Sequence, residues 1–285
     1  MTLKKFEMKT IQSKSLLTLI IIFFIIGFST SARNIIGLDG DFLLDSTRFD
    51  SINPKVNIQS SLIKNPDWVV YPTALQEHRD ESKDYVKHYS VSQRSYIMYM
   101  FKRGQKYFQQ AMDIFDKYNV PYELQMLPAL ESNFSANAVS AVGAVGYWQF
   151  MSELATEYGL KVGGKYDQRK NFAKSTVAAA KFFRDQLDYF DDDLLLTVAA
   201  FNCGQGRVRK ALKSSGKADA DFWDVKQYLP AETRRFVMRF ISLNVIAANY
   251  NKFLDKKLNF TEPPLIQLAL TDSAKGDYSV SRNSL

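Results

Sequence analysis

One acidic side chain in the sequence stands where a carboxyl group could act as a proton donor. Glu131 directly follows Leu124, Leu127 and Leu130, which share one face of a short predicted helix, and it precedes Ser132. A carboxyl group placed against apolar residues loses hydration, which raises its pKa and keeps it protonated near neutral pH. General acid catalysis requires that property. Taken alone, such a glutamate more often has an exposed or capping role.

Two glycine-containing patches further along the chain place polar groups where burial is expected, and the first of them suits a sugar that carries an N-acetyl group. The first, residues 143–150, has two glycines three positions apart, which let the backbone approach a ligand closely, while Trp148 and Gln149 offer a stacking face and an amide. The second, residues 199–206, ends an apolar helix in the amide of Asn202. Taken alone, the first patch also fits a turn beside a core tryptophan, and Asn202 also fits a helix cap.

The composition excludes several other kinds of site. Cys203 is the only cysteine, so the chain forms no internal disulfide and no cysteine cluster for a metal. The two histidines, His78 and His88, lack the i, i+4 spacing of a helical zinc site. The net charge is +7, of which residues 1–32 carry +3, and the rest shows no concentrated basic patch of the kind that binds nucleic acid. The chemistry must therefore come from carboxylates, amides and hydroxyls.

The elements that must position these groups are predicted to be helices. Apolar residues recur at helical spacing, and alternating strand patterns are scarce, so the predicted fold class is mainly α. Gly204 is placed to end the apolar helix that carries Asn202. The predicted helices cover residues 92–118, 172–190, 194–201 and 232–253, with a short one within residues 67–87 and another opening at Pro121.

The first 32 residues indicate a targeting segment. A basic stretch over residues 4–14 precedes an apolar run over residues 16–28, and small residues follow up to Ala32. That run is too short for the roughly 30 Å core of a bilayer, which favours a cleaved signal peptide and an exported protein. An uncleaved N-terminal anchor is the alternative.

Three motifs follow one another along the chain: Glu131-Ser132, Gly146-Tyr147-Trp148-Gln149 and Ala200-Phe201-Asn202. Further matches are Tyr166-Asp167-Gln168-Arg169 and Leu229-Pro230-Ala231-Glu232-Thr233-Arg234. In order and spacing this set resembles the soluble lytic transglycosylase family, which is similar to goose-type lysozyme, and within it most resembles the membrane-bound lytic murein transglycosylase D branch. The resemblance implies a lysozyme-like α-helical transglycosylase domain.

The resemblance also predicts the organisation of the chain. It covers about residues 95–255, which we expect to form the catalytic domain of the soluble lytic transglycosylase type. The expected order is a signal peptide over residues 1–32, a helical or extended N-terminal leader over residues 33–94, the catalytic domain, and an irregular tail over residues 256–285.

The resemblance implies cleavage of the β-1,4 bond between N-acetylmuramic acid and N-acetylglucosamine in peptidoglycan, leaving 1,6-anhydro ends. Glu131 would act first as acid and then as base, with no metal and no cofactor. The partner would be the glycan strand and not nucleic acid, and other cell-envelope partners stay open. The enzyme would be a periplasmic monomer. It would be associated with the membrane only if the N-terminal segment is not cleaved. The implied substrate-binding residues are Ser132, Gly146, Tyr147, Gln149, Phe201 and Asn202.

Two other functions stay open from the sequence. A goose-type lysozyme would keep the fold and use water as the acceptor, for which a second carboxylate is needed; Asp167 and Glu153 are candidates. A non-catalytic peptidoglycan-binding protein is the other alternative; every core motif residue is intact except for Phe236, which stands where relatives commonly carry a tyrosine. The mass of the released product distinguishes the three functions.

Overall fold

The computed structural model describes residues 68–261, and within that range the fold is helical. Its only strand-like pairings there are isolated bridges that Val145 makes with Val139 and Phe150. The prediction of a mainly α fold is therefore confirmed. The helices are α1 (Arg79–Ser92), α2 (Arg94–Lys117), α3 (Leu127–Ser132), α4 (Ser152–Glu157), α5 (Phe172–Tyr189), α6 (Leu194–Cys203), α7 (Gln205–Ser215), α8 (Phe222–Val225), α9 (Ala231–Ala248) and α10 (Tyr250–Leu254), with single 3-10 turns at Thr73–His78, Tyr122–Met126, Gln168–Lys170 and Lys226–Tyr228.

Helix α6 lies in the core of the molecule. It is apolar on all sides, as expected for a helix surrounded by other elements, and it packs against α5, α7 and α9. The Asp193 side chain caps its start by accepting a hydrogen bond from the N–H of Leu196 at 2.8 Å. Gly204, with φ +87°, ends it, as predicted. Only Phe201 and Asn202, near its C-terminal end, are partly exposed.

Helix α2 is amphipathic, and its buried face packs on α5 and on the segment that follows α3. Gly104 allows the closest approach, because a Cβ atom at this position would come within 2.5 Å of the Phe134 ring and 2.7 Å of the Phe108 ring. The backbone of α2 is therefore held directly against the residues that follow Glu131.

The N-terminal part of the described chain is joined to the C-terminal part. Helix α1 packs along α9, and the buried side chain of Asn249 pairs with the backbone of Val70. The Asn249 amide donates to Val70 O at 2.6 Å and to Val245 O at 2.7 Å, and its Oδ1 accepts from the Val70 N–H at 2.9 Å. The N–H of Val69 also donates to Asn259 O at 2.7 Å. Residues 68–92 thus share a core with the region that the motifs cover.

Most of the predicted helices are confirmed, with one correction. The helix predicted over residues 232–253 is interrupted, because the backbone at Asn249 (φ −121°, ψ 31°) leaves the helical region where its side chain engages Val70. Helices α4, α7 and α8 were not predicted; α7 buries only Val208 and Ala211, too few apolar positions to give a periodic signal.

Other predictions fall on residues 1–67 and 262–285, which lie outside the described residues: the signal peptide, most of the leader and most of the tail. None of the helices within residues 68–261 has the length and apolar character needed to cross a bilayer.

We expect Asn249→Ala to destabilise the protein by about 1–3 kcal/mol, because it leaves the part-buried N–H and C=O of Val70 without their protein partner. Urea denaturation followed by circular dichroism measures this loss. The control is Asn137→Ala, which truncates an exposed asparagine and should cost no more than about 0.5 kcal/mol. Equal effects of the two variants would contradict this role for Asn249.

Candidate active site

Glu131 lies near the end of the six-residue helix α3, which stops because the next two residues are left-handed. Asn133 has φ +50° and Phe134 has φ +55°, conformations that cost non-glycine residues roughly 1–3 kcal/mol each. The buried Phe134 ring stacks on Tyr107 with centroids 5.6 Å apart and meets Phe108 edge-on at 5.5 Å. This packing holds the strained turn in place directly after Glu131.

The environment of Glu131 favours its protonated form. Burial raises its pKa to about 8, and the negative charge of Glu232, from the first turn of α9, adds to the shift. At neutral pH the Glu131 carboxyl therefore carries a proton. The surroundings predicted from the leucine pattern are present, since Leu124 and Leu127 are fully buried and Leu130 packs on the core.

Ser132 joins α3 to the loop that contains the second motif. Its buried hydroxyl lies 2.8 Å from Tyr147 O and 3.2 Å from Pro128 O, and it accepts from the N–H of Ser135 at 3.2 Å. The resemblance implies that Ser132 binds substrate. The structure instead places its hydroxyl on backbone groups, so that it fixes the loop beside α3.

Gly146 allows this loop to pack against the 3-10 turn at residues 168–170. It has φ +82°, and a Cβ atom here would come within 2.0 Å of Arg169 O. The glycine was predicted to let the backbone approach a ligand closely. In the structure the close approach is to the backbone of Arg169 in this chain.

The Arg169 side chain fixes the same loop from inside. Its guanidinium donates to Phe150 O at 3.0 Å and to Gly143 O at 3.3 Å, and it pairs with Asp167 at 2.7 Å. The hydrogen bond from Arg169 lowers the pKa of Asp167 to about 2, and both side chains are less than 10% exposed. Asp167, a candidate second carboxylate of a hydrolase, is therefore engaged in holding the loop. The other candidate, Glu153, lies exposed on α4.

Gln149 is partly used by the loop itself. Its backbone is left-handed (φ +49°), and its Nε2 donates to Gly146 O at 2.9 Å and to Ala138 O at 3.2 Å. The amide expected to make two bonds to substrate thus spends its donors on the backbone. Among the described residues nothing donates to its Oε1, which leaves that oxygen to accept from a ligand N–H.

The aromatic residues of the second and third motifs belong mainly to the core. Trp148 is fully buried and donates its indole N–H to Thr176 Oγ1 at 3.1 Å, so it presents no stacking face to a sugar. Tyr147 is buried, and its hydroxyl lies 2.9 Å from that of Tyr107. Phe201 is partly exposed, with its ring packed edge-on or tilted against four others, namely those of Trp148, Phe150, Phe182 and Phe183.

Asn202 is oriented by a hydrogen bond from α9. The hydroxyl of Thr233, which is buried, donates to Asn202 Oδ1 at 2.8 Å. Asn202 is therefore not the cap of α6. Within the described residues its Nδ2 group has no partner, so two N–H donors remain for a ligand.

The structure thus connects all three motifs through direct contacts. The first meets the second through Ser132 and Tyr147 O, and the second meets the third where the rings of Trp148 and Phe201 touch. The start of α9 adds Glu232, which acts on Glu131. These contacts link the predicted site residues into one connected cluster, in which several side chains bond to backbone or core groups.

Sequence reasoning missed three contributors. Glu232 and Thr233 stand in a motif that carried the resemblance, but nothing in their spacing indicates contact with residues 101 and 31 positions earlier. Arg169 also stands in one of these motifs, but nothing in the sequence indicates its contacts with Gly143 and Phe150. Within residues 68–261 no group of three His, Cys, Asp or Glu side chains is arranged to hold a metal ion.

Known proteins resemble this chain in the same region. The family model described as transglycosylase SLT domain matches residues 106–223. Membrane-bound lytic murein transglycosylase D of Escherichia coli strain K12 is 35% identical over 178 residues, which are 61% of this chain and 38% of that protein. Peptidoglycan transglycosylase gp16 of Escherichia phage T7 is 36% identical over 107 residues, which are 36% of this chain and 8% of that protein. This chain therefore spans well under half the length of either relative.

A solved structure of an inactive variant of lytic transglycosylase Slt from Pseudomonas aeruginosa also matches. It covers 52% of this chain and 24% of its own, at 21% identity and a TM-score of 0.43.

We expect Gly146→Ala to destabilise the protein by about 3 kcal/mol or more, because the added methyl group collides with the backbone at Arg169. Gly143→Ala is the matched control: φ is also positive there (+86°), but a Cβ atom meets nothing within 4 Å, so the cost should be about 1–2 kcal/mol. Thermal and urea denaturation measure both. If the two variants are equally stable, the close approach is not what requires glycine at position 146.

Glu131→Gln should stabilise the protein by an amount that depends on pH. A buried acid whose pKa is raised from 4.5 to about 8 binds its proton more tightly in the folded state. The wild type therefore loses stability as pH rises from about 4.5 to about 8, and the loss levels off above that range. Gln cannot ionise, so its advantage over Glu should grow across the same window.

The measurement is the free energy of unfolding of both proteins from pH 4 to pH 9. Glu153→Gln, which removes an exposed carboxylate, should change stability by no more than about 0.5 kcal/mol. A constant difference between wild type and Glu131→Gln across the pH range would show that Glu131 is not desolvated.

Proposed function

We propose that this protein is a lytic transglycosylase that cleaves the glycan strands of peptidoglycan without water; the match of residues 106–223 to the family model of the transglycosylase SLT domain supports this. The observation that carries the proposal is the Glu131 carboxyl, which is kept protonated at neutral pH by burial and by Glu232. The names of the relatives support the substrate, since one is called a murein and another a peptidoglycan transglycosylase.

The first step of the proposed reaction is protonation of the leaving oxygen. Glu131 donates its proton to the glycosidic oxygen between N-acetylmuramic acid and N-acetylglucosamine, and the bond from that oxygen to C1 of the muramyl sugar breaks. The positive charge that develops at C1 is stabilised by the N-acetyl group of the same sugar. A carboxyl with a pKa near the working pH suits this transfer.

The second step returns the proton and closes a ring. Glu131, now a carboxylate, takes the proton from the C6 hydroxyl of the muramyl sugar while the C6 oxygen bonds to C1. The product ends in a 1,6-anhydro ring, Glu131 regains its proton, and no water is consumed. One residue thus performs both transfers, whereas most glycosidases divide them between two carboxylates.

Asn202 and Gln149 are proposed to position the substrate. The free Nδ2 donors of Asn202 suit a sugar hydroxyl or an acetamido carbonyl, and Thr233 fixes the orientation of that amide. The Oε1 of Gln149 suits an acetamido N–H, because its Nε2 is held by the loop. Gly146, Ser132, Tyr147 and Phe201 contribute by building the frame around these groups.

The proposed location of the protein in the cell follows from the location of the substrate. Peptidoglycan lies outside the cytoplasmic membrane, so the basic and apolar N-terminus is proposed to direct the protein to the periplasm, either as a cleaved signal peptide or as a retained anchor. The proposed partner is the glycan strand and not nucleic acid. The proposed chemistry needs no metal or organic cofactor, and a single copy of the chain can carry it out.

We expect Glu131→Gln to lower turnover by at least about 10⁴-fold, because Gln keeps the size of Glu but can neither give nor take the proton in either step. The assay is mass spectrometry of the muropeptides that the purified protein releases from peptidoglycan. Wild-type products should be lighter by one water than those of a hydrolase.

Other outcomes decide against the proposal. Reducing muramyl ends from the wild type would assign a lysozyme-type hydrolase, and binding without any release would assign a non-catalytic peptidoglycan-binding protein. Full activity of Glu131→Gln would exclude Glu131 as the catalytic residue.

A further inference from the structure

One face of α2 carries exposed aromatic and cationic groups that the proposed reaction does not use. Tyr96, Tyr99 and Arg103 are spaced by three and four residues, which places them on one side of the helix. The two tyrosines are 38% and 49% exposed, although the opposite face of α2 lies in the core. We refer to these three residues as the α2 stripe.

The α2 stripe is bonded directly to the turn that follows Glu131. The Tyr96 hydroxyl donates to Asn133 Oδ1 at 2.6 Å, and Nη2 of Arg103 donates to Phe134 O at 3.3 Å. Asn133 and Phe134 are two and three residues beyond the catalytic carboxyl. The stripe therefore continues the surface of the candidate active site instead of forming a separate one.

Arg103 keeps its charge available. Nη1 donates to the Tyr99 hydroxyl at 2.8 Å, and the guanidinium lies 5.5 Å from the Tyr99 ring centroid, so the side chain is held in one orientation. Within residues 68–261 no carboxylate forms an ion pair with it. Three of its five N–H groups have no partner among those residues, so a planar, oriented cation faces the solvent beside two tyrosine rings.

A second cation reinforces the positive character of this surface. Arg239 on α9 is exposed, and its charge acts on the phenol of Tyr96. Burial nevertheless raises the pKa of Tyr96, against the hydrogen bond to Asn133 and the charge of Arg239, so the phenol stays neutral and remains a donor. The surface thus combines apolar ring faces with positive charge.

We propose that the α2 stripe binds the part of the substrate next to the cleaved bond and favours strands whose sugars carry peptides. The Tyr96 and Tyr99 rings offer flat apolar faces to the C–H faces of a sugar, and the Tyr99 hydroxyl, which accepts from Arg103, still has its own O–H to donate at the edge. Arg103 offers a guanidinium fork that matches a carboxylate of the attached peptide. This inference rests on the proposed function and assigns to it a selectivity for peptide-bearing strands.

The test compares two substrates: peptidoglycan strands with their peptides, and the same strands after removal of the peptides by an amidase. The values of kcat and KM are measured on both for the wild type, Arg103→Gln and Arg103→Lys. Lys102→Gln is the matched control, because it removes an exposed cation of α2 that lies next to the stripe but outside it.

Arg103→Gln should raise KM on peptide-bearing strands about ten-fold more than on stripped strands, with kcat changed little, as expected for a lost charge-assisted hydrogen bond. Arg103→Lys should recover part of that selectivity, since it keeps the charge but not the fork. Lys102→Gln should behave as the wild type on both substrates. An equal effect of Arg103→Gln on both substrates would overturn the inference.

A second variant tests the aromatic part of the stripe. Tyr99→Ala should raise KM on both substrates, whereas Tyr189→Ala, which truncates a comparably exposed tyrosine at the end of α5, should not. Unchanged KM in Tyr99→Ala would remove the stacking role. These outcomes can be distinguished from failure of the proposed function. If the proposed function is wrong, the wild type itself releases no anhydro products from either substrate.

Discussion

Desolvation of the Glu131 carboxyl is the constraint on which the site depends. Taking an acidic group out of water is unfavourable to its charged form, and the nearby charge of Glu232 adds to that penalty. Such a group keeps its proton only if the surroundings cannot relax to admit water. The left-handed turn at Asn133 and Phe134, locked by the rings of Tyr107 and Phe108, supplies that rigidity on one side.

The other side of the site is a loop without regular secondary structure, so its backbone groups need other partners. A single buried ion pair fulfils this need, since Arg169 binds the carbonyl groups of Gly143 and Phe150 while Asp167 neutralises it. Ser132 and Gln149 complete the set with bonds to the backbone of the same loop. These polar side chains supply hydrogen bonds that backbone partners supply in a sheet. This is why several polar residues of the motifs stabilise the loop and do not bind substrate.

Whether a feature could be predicted from the sequence depends on how far apart in the sequence the interacting residues are. Helices such as α5 were predictable because apolar spacing is a local signal, and the desolvation of Glu131 was predictable from the leucines beside it. Burial of Trp148 was one of two interpretations left open, whereas its hydrogen bond to Thr176 and the interruption at Asn249 were not predictable, because both depend on partners distant in sequence. For the same reason Glu232 escaped notice as the charge that acts on Glu131.

A pKa of about 8 explains how one carboxyl can serve both steps of the proposed reaction. An acid with a lower pKa would donate its proton more readily, but it would be ionised at neutral pH and its conjugate base would be too weak to take a proton from a sugar hydroxyl. The field of Glu232 and the loss of water weaken Glu131 as an acid and strengthen its carboxylate as a base by the same amount. Because the proton must be given and then recovered within one turnover, a pKa close to the working pH is the compromise that lets a single residue do both. In the proposed reaction Glu232 thus tunes the pKa of Glu131, and activation of water has no part.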